Sequence, residues 1–472
     1  MTLFEEYFMK PLPLLAAMAA ALLSACGGSD SGPAPANPQP LSVSNTTVQV
    51  NLGDAPADRL LAVNMNVSSL ALTNAAGGTV SVLGAARSVE VMQLMGTVTP
   101  LALADVPQGS YTGATMTFGQ ASVTHLDAGT GQIVQRTAPG PMTARIAFDP
   151  PLAVGAAPMV LNLDMHMASS VAIGASGNVS VTPTLTATAR PMLAGSRHPE
   201  DGGMQGLIAT VGAVQGGAFT ASMAQGLGAA SMTTHAGTHY SGLAGTHMMA
   251  GNMLVSVDAV PQLGGAWRVD HVQSRMAAGG SMAGGLITEV VGSPPTGLTV
   301  VMHEGAGNGM VGGDLAGIAT IGLGGGTQFA IDADSVDLTG LPFSPQFDRT
   351  HLSRGQAVRA WSSAPIGHHG GGGMAAGRTV DAARVELKPQ GLRGTVSGYA
   401  SNGAQSSFTL TLPADAAFAK LAGATTVTVY QQAGTQLRGL SSLTNGSTVQ
   451  VRGLLFRDGN AFRLVASRIV AA

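Results

Sequence analysis

The residues best suited to metal chemistry stand in two histidine- and methionine-rich runs. "HAGTHYSGLAGTHMM" holds His235, His239, His247, Met248 and Met249, and "HHGGGGM" holds His368, His369 and Met374. Imidazole and thioether groups are ligands that copper accepts. The set His235, His239, His247, Met248, His368 and His369 is therefore the candidate metal site. Against it stand irregular spacings and Gly/Ala flanks, in a chain with 23 Met and 66 Gly that produces such runs by composition. A second cluster lies in "AIDADSVDLTG". Alternation would place Asp332 and Asp334 on one strand face, with Asp337 beyond. Two such acids could hold Ca²⁺, and a solvated strand face is the plainer reading. No Gly-x-Ser-x-Gly elbow occurs, and "HEGAG" at His303 lacks the second histidine of a zinc-protease helix. "GLGGGTQ" at Gly322 is followed by no helical pattern, so it does not read as a nucleotide loop. No catalytic arrangement and no cofactor are expected.

The elements that position these residues follow from composition. Charged residues make up 10% of the 472, far below the roughly 25% of an average soluble protein. Long helices need charged wet faces, so this chain favours strands and turns. Net charge is −3 and Lys occurs only at Lys10, Lys388 and Lys420. Nothing neutralises phosphates in a stripe, so nucleic acid is not an expected partner. One cysteine excludes an intramolecular disulfide.

That cysteine ends a processing signal. Lys10 precedes an apolar run, Pro11 to Leu23, that is shorter than the about 20 residues needed to span a bilayer. The run closes on Leu23-Ser24-Ala25-Cys26, which resembles the lipobox of bacterial lipoproteins. Both Met1 and Met9 are compatible starts. The resemblance implies cleavage before Cys26, its acylation, and membrane lipid as the first partner. Gly27 in place of Asp implies outer-membrane sorting. Residues 1–26 are thus signal peptide and lipobox, and residues 27–41, "GGSDSGPAPANPQPL", form a Gly/Ser/Pro tether.

Residues 42–195 alternate. Val48, Val50 and Leu52 precede a break expected at Asp54 and Pro56, and Val63, Met65, Val67, Leu70 and Leu72 resume. A turn at Pro107-Gln108-Gly109 leads into a strand through Tyr111, Met116 and Phe118, and another turn is expected at Gly174–Asn178. The pattern predicts an antiparallel β-sandwich. The stretches "GDAP", "VNMNVSSLAL" and "VPQGSYTGATMTF" resemble a domain family of unknown function at the N-terminus of bacterial lipoproteins. The resemblance implies a fold and no catalytic residues.

The remainder repeats. "QGLIATVGAV", "GGLITEVVGS" and "QGLRGTVSGY" each open a unit, giving 204–280, 284–389 with Gly-rich insertions, and 390–472. Each unit closes on a final strand, where Trp267 aligns with Phe462, and Val269 with Val380 and Leu464. His271 then falls opposite Ala382 and Ala466 as a packed strand residue. Five or six short strands would close into a barrel to remove sticky edges. The arrangement resembles a small all-β family of unknown function found in tandem in bacterial lipoproteins, and implies OB-like barrels. Such barrels use exposed aromatics to bind ligands; Trp267, Trp361, Tyr240 and Tyr430 are the candidates, though a small core would claim most of them.

The fold class is therefore all-β: an N-terminal antiparallel β-sandwich followed by three small OB-like β-barrel repeats. The expected function is a non-enzymatic binding or structural module of the bacterial cell envelope, lipid-anchored in the outer membrane. An envelope protein or a polysaccharide is the expected further partner. Envelope copper binding through the His/Met loops is the alternative. Glycan hydrolysis ranks third, for want of paired acids.

Overall fold

A computed structural model describes residues 44–471 apart from positions 56, 128, 175, 263, 309, 311–313, 369–376, 403–404 and 441. The expected signal peptide with Cys26, the expected tether and His369 lie outside the described residues.

Alternating Val, Leu and Met build two sheets over one core in the N-terminal part. The first sheet places its strands in the order Leu185–Pro191, Met159–His166, Asn45–Ala55, Val98–Pro107. The second is organised by Leu60–Asn74 and Gly109–Leu126, which pair along most of their length. Val48, Val50, Leu52, Val63, Met65, Val67, Leu70, Leu72, Met116 and Phe118 all face the shared interior. The Tyr111 hydroxyl donates to the Pro107 carbonyl at 2.7 Å and ties off the turn between two strands. Asn45–Ala55 runs antiparallel to Val98–Pro107 but parallel to Met159–His166. Side-chain alternation is the same for both directions, so it carries no sign of this parallel pair. The parallel ladder carries the strand through Asp54 to Ala55, and Pro56, the other half of the expected break, lies outside the described residues. Asp54 is a buried strand residue, not a turn-former, and neither of its carboxylate oxygens has a hydrogen-bond partner among the described residues.

Three closed five-stranded barrels follow. Barrel 1 comprises Met204–Gln215, Ala218–Met223, Ala229–Ser241, Leu254–Pro261 and Trp267–Met276. Barrel 2 comprises Ser281–Val291, Gly297–Gly307, Ile318–Ile331, Ala357–Ser362 and Arg378–Leu387, with Gly367–His368 added at the edge of its fifth strand. Barrel 3 comprises Gln390–Asn402, Gln405–Thr411, Thr426–Arg438, Thr448–Asp458 and Ala461–Ala471. In each, strands neighbour one another in the order 1-2-3-5-4 and strand 4 returns to strand 1; strands 3 and 5 run parallel. The described helices, Met167–Ser170 and Ala417–Ala422, are single turns or little more.

Strand 3 holds stretches that looked irregular: the start of the first His/Met run, through Ser241, and the Gly-rich "GLGGGTQ". Each strand 3 is broken by a bulge, where register shifts between Thr234 and His239, Leu323 and Gln328, or Gln431 and Gln436. Inside each bulge a threonine hydroxyl donates to a strand 5 carbonyl: Thr238 to Val269, Thr327 to Ala382 and Thr435 to Ala466, all at 2.7 Å. A glycine precedes each threonine, as bulges favour. These bonds align Val269 with Ala382 and Ala466, and Trp267 with Val380 and Leu464. The sequence alignment of the first copy is therefore off by two residues, and His271 corresponds to Arg384 and Arg468. A shift of two leaves strand alternation unchanged, so the hydrophobic pattern does not reveal it.

The glycines of the repeat signature serve different ends. Gly206 has φ +62, a left-handed conformation that glycine adopts freely. At Gly285 an added Cβ would lie 1.9 Å from the Val301 carbonyl oxygen, so this residue permits close strand approach.

Each module has its own core, and apolar side chains also join them. Leu454, Phe456 and Val465 of barrel 3 belong to the core of barrel 2. Leu61 and Leu126 of the sandwich pack with Val301 of barrel 2 and Ala417 of barrel 3. Ile208 and Leu254 of barrel 1 pack with Met282 and Trp361 of barrel 2. The described residues, 44–471, form one compact unit.

Candidate functional site

The chain's scarce charges converge where the four modules meet. Glu304 lies near the end of strand 2 of barrel 2, opposite Gly284. A Cβ at Gly284 would sit 2.6 Å from the Glu304 Oε1, so this glycine makes room for the carboxylate. Arg359 reaches Glu304 from strand 4, and Lys388 reaches it from just past strand 5. Glu304 accepts from Arg359 Nε at 3.0 Å and Nη2 at 3.3 Å, and from Lys388 Nζ at 2.5 Å. Gln225 of barrel 1 donates to the same carboxylate at 3.3 Å. All three charged groups are buried. Burial would push the Glu304 carboxyl up. The adjacent guanidinium and ammonium outweigh it and hold the carboxyl well below the ordinary carboxylate range. Burial lowers the Lys388 ammonium despite its contact with Glu304.

Arg359 extends the network to Asp332 at 3.4 Å and Glu386 at 3.5 Å. Glu386 accepts from Trp361 Nε1 at 3.3 Å and pairs with Arg384 and, at 3.7 Å, with Arg275 of barrel 1.

The sandwich enters through the 3₁₀ turn Met92–Leu94. Glu90 shapes it by accepting backbone N–H bonds from Val63 at 2.8 Å and from Met92 and Gln93 at 3.0 Å. Burial nevertheless pushes the Glu90 carboxyl up to about 8. Gln93 donates to the His303 carbonyl at 2.7 Å and accepts from Gln225. His303 Nε2 donates to the Leu61 carbonyl at 2.8 Å. Burial, with Lys388 nearby, lowers the His303 imidazole to about 4, so it stays neutral. Barrel 3 contributes Arg452, which donates to the Gln93 carbonyl at 3.1 Å, and Arg468, which reaches Gly96 O at 3.2 Å and Glu200 at 2.5 Å. Residues 92–96 are thus held by side chains or backbone from all three barrels. Beside this junction lies a cavity of about 90 Å³, bounded by Leu61, Met92, His303, Lys388, Leu392 and Phe418. It has room for several water molecules at roughly 10–15 Å³ each.

Barrel 1 holds four residues of the candidate metal set. His235 Nε2 lies 3.3 Å from Asp270, and the His239 ring lies 5.0 Å from that of His271. His247 is exposed on the turn Thr246–Met248, and Met248 accepts from Ala244 N through sulfur at 3.2 Å. His368 is on the edge strand of barrel 2, paired with Arg378. Among the described residues no three His, Cys, Asp or Glu side chains converge as a metal site. Asp332 serves the ion network, and Asp337 caps its own turn by accepting from Thr339 N at 2.9 Å. Trp267, Trp361 and Tyr430 are buried, and Tyr240 is half-buried.

Glu304, Arg359, Lys388, Glu90 and Gln93 carry no local signature in the sequence. The one hint is that Glu304 interrupts an otherwise uncharged stretch, "GLTVVMHEGAGNG", in a chain poor in charge. Comparison with known proteins finds no matching family model and no matching curated protein.

Proposed function

We propose that the chain is a bacterial envelope lipoprotein, acylated at Cys26 and anchored in the outer membrane. It holds a rigid, non-enzymatic binding or structural body off the lipid surface. An envelope protein or polysaccharide is its partner. The lipobox supports the anchor. The observation that carries the rest is the buried network around Glu304. In a chain with only 10% charged residues, that network joins sandwich and barrels and commits its acids and bases to one another. Buried ion pairs of this kind fix an arrangement more than they add stability. The domain-family resemblances fit this reading.

Radiolabelled palmitate supplied to cells making the full chain tests the anchor. Label is expected in the wild type and absent from Cys26→Ser, which should leave the membrane fraction. Unlabelled wild-type protein would overturn the reading.

Envelope copper binding retains one supporting observation. His239 and His271 are register partners with rings 5.0 Å apart, close enough to supply two ligands to one cupric ion. Copper titration of the wild type and His239→Ala decides it; no stoichiometric uptake at micromolar metal ends this reading.

A further inference from the structure

The connection between strands 3 and 4 of barrel 2 lies between the core of its own barrel, where Val336, Leu338 and Leu341 pack, and barrel 3. Gln405 and Gln432 are register partners on strands 2 and 3 of barrel 3, so their side chains share one face. The Gln432 amide grips the Asp337 backbone twice, accepting from its N–H at 3.1 Å and donating to its carbonyl. Gln405 donates to the Gly340 carbonyl at 3.1 Å. Three residues later Phe343 packs against Tyr430, ring centres 5.3 Å apart, and against Phe456 at 5.7 Å. The Arg463 guanidinium covers the same ring at 5.4 Å, and is itself fixed by Asp458 at 2.5 Å and the Tyr430 hydroxyl at 2.6 Å.

Asp337–Phe343, "DLTGLPF", is neither helix nor strand. Amide contacts hold its backbone, Phe343 is its aromatic anchor, and Leu338 and Leu341 pack against the apolar core that barrels 2 and 3 share. The amide contacts do not read side chains and the apolar contacts do, a division of labour that peptide-binding surfaces use. Gln405, Gln432 and Tyr430 lie on strands 2 and 3, the face with which OB-like barrels take ligands, and Phe343 reaches on to Phe456 of strand 4 and Arg463 of strand 5. Alongside the segment a polar groove of about 470 Å³ continues, lined by Asp334, Ser335, Gln405, Gln432 and Thr435.

We infer that this face of barrel 3 recognises a turned peptide bearing an aromatic side chain, and that Asp337–Phe343 is its resident occupant. A partner protein presenting such a segment competes with the occupant. This deepens the binding-module reading and rests on it; acylation at Cys26 is independent of it, so the two can fail separately.

The test uses the full chain and a fluorescein-labelled peptide, SVDLTGLPFS, matching 335–344. Phe343→Ala should loosen the occupant, so that the peptide binds this variant at least about tenfold more tightly than wild type. Adding Gln432→Ala to Phe343→Ala should undo that gain. In the wild-type background, Gln405→Ala/Gln432→Ala should speed hydrogen exchange at the Asp337 amide while barrel 3 amides stay protected. This second measurement stands if Phe343→Ala fails to fold. Absence of saturable peptide binding to folded Phe343→Ala, binding indifferent to Gln432, unchanged Asp337 exchange, or glycan binding in the peptide's place would each overturn the inference.

Discussion

Arg359 and Glu304 meet through two roughly parallel hydrogen bonds, at 3.0 and 3.3 Å, at the point where barrel 2 faces barrel 1 and the sandwich. Truncating one partner of a buried pair leaves the other charge uncompensated, at a cost of about 3–5 kcal/mol. Lys388 also serves Glu304, so Arg359→Met should fall at the low end. Glu304→Ala leaves the buried Lys388 without an ion-pair partner among the described residues, and Arg359 with only Asp332 and Glu386, and should fall at the high end. Urea unfolding of both variants checks the order; equal, sub-kcal losses would contradict it.

His303 makes the junction sensitive to acid. Its imidazole is lowered to about 4 in the folded chain, against an ordinary value near 6.5. The unfolded chain therefore binds more protons between these values, and stability is lost as pH falls through that window, by about 3 kcal/mol in full. His303→Gln can still donate to Leu61. It should flatten the dependence of the unfolding midpoint between pH 6.5 and 4, leaving the loss from Glu304 at pH values below the ordinary carboxylate range.

Glu90 acts in the opposite direction. Its carboxyl is pushed up to about 8, so the folded chain holds a proton that the unfolded chain releases near 4.5. Stability should decline as pH rises from 4.5 through 8, and Glu90→Gln should remove most of that slope in thermal melts. A wild-type melt indifferent to pH across this range would contradict the assignment.

The bulge threonines should behave as a set. Thr238→Val, Thr327→Val and Thr435→Val each delete one hydroxyl donor while keeping shape, and each should cost about 1 kcal/mol in chemical denaturation. A cost confined to one barrel would mean that the bulge is not the shared device of the repeat.

The sequence makes legible what depends on periodicity alone. Val48 through Leu72 alternate and are buried, and the strands opening and closing each barrel follow the repeated Gly-Leu and terminal apolar patterns. Strand 3 of each barrel is hidden because a bulge interrupts alternation at Gly237-Thr238, Gly326-Thr327 and Gly434-Thr435. There the same residues read as a metal-binding run or a glycine loop. The parallel pairing of Asn45–Ala55 with Met159–His166 is hidden because side-chain facing does not depend on strand direction. The junction is hidden for a different reason. Glu90, Gln225, Glu304, Arg359 and Lys388 are far apart in sequence and become neighbours only through packing.

Four modules keyed together through residues 92–96 and Glu304 should behave as one body. Scanning calorimetry of the full chain measures this directly. One cooperative transition is predicted, with equal calorimetric and van't Hoff enthalpies, displaced as a whole to lower temperature in Arg359→Met. Separately resolved transitions in the wild type, with a barrel melting while the sandwich persists, would contradict it.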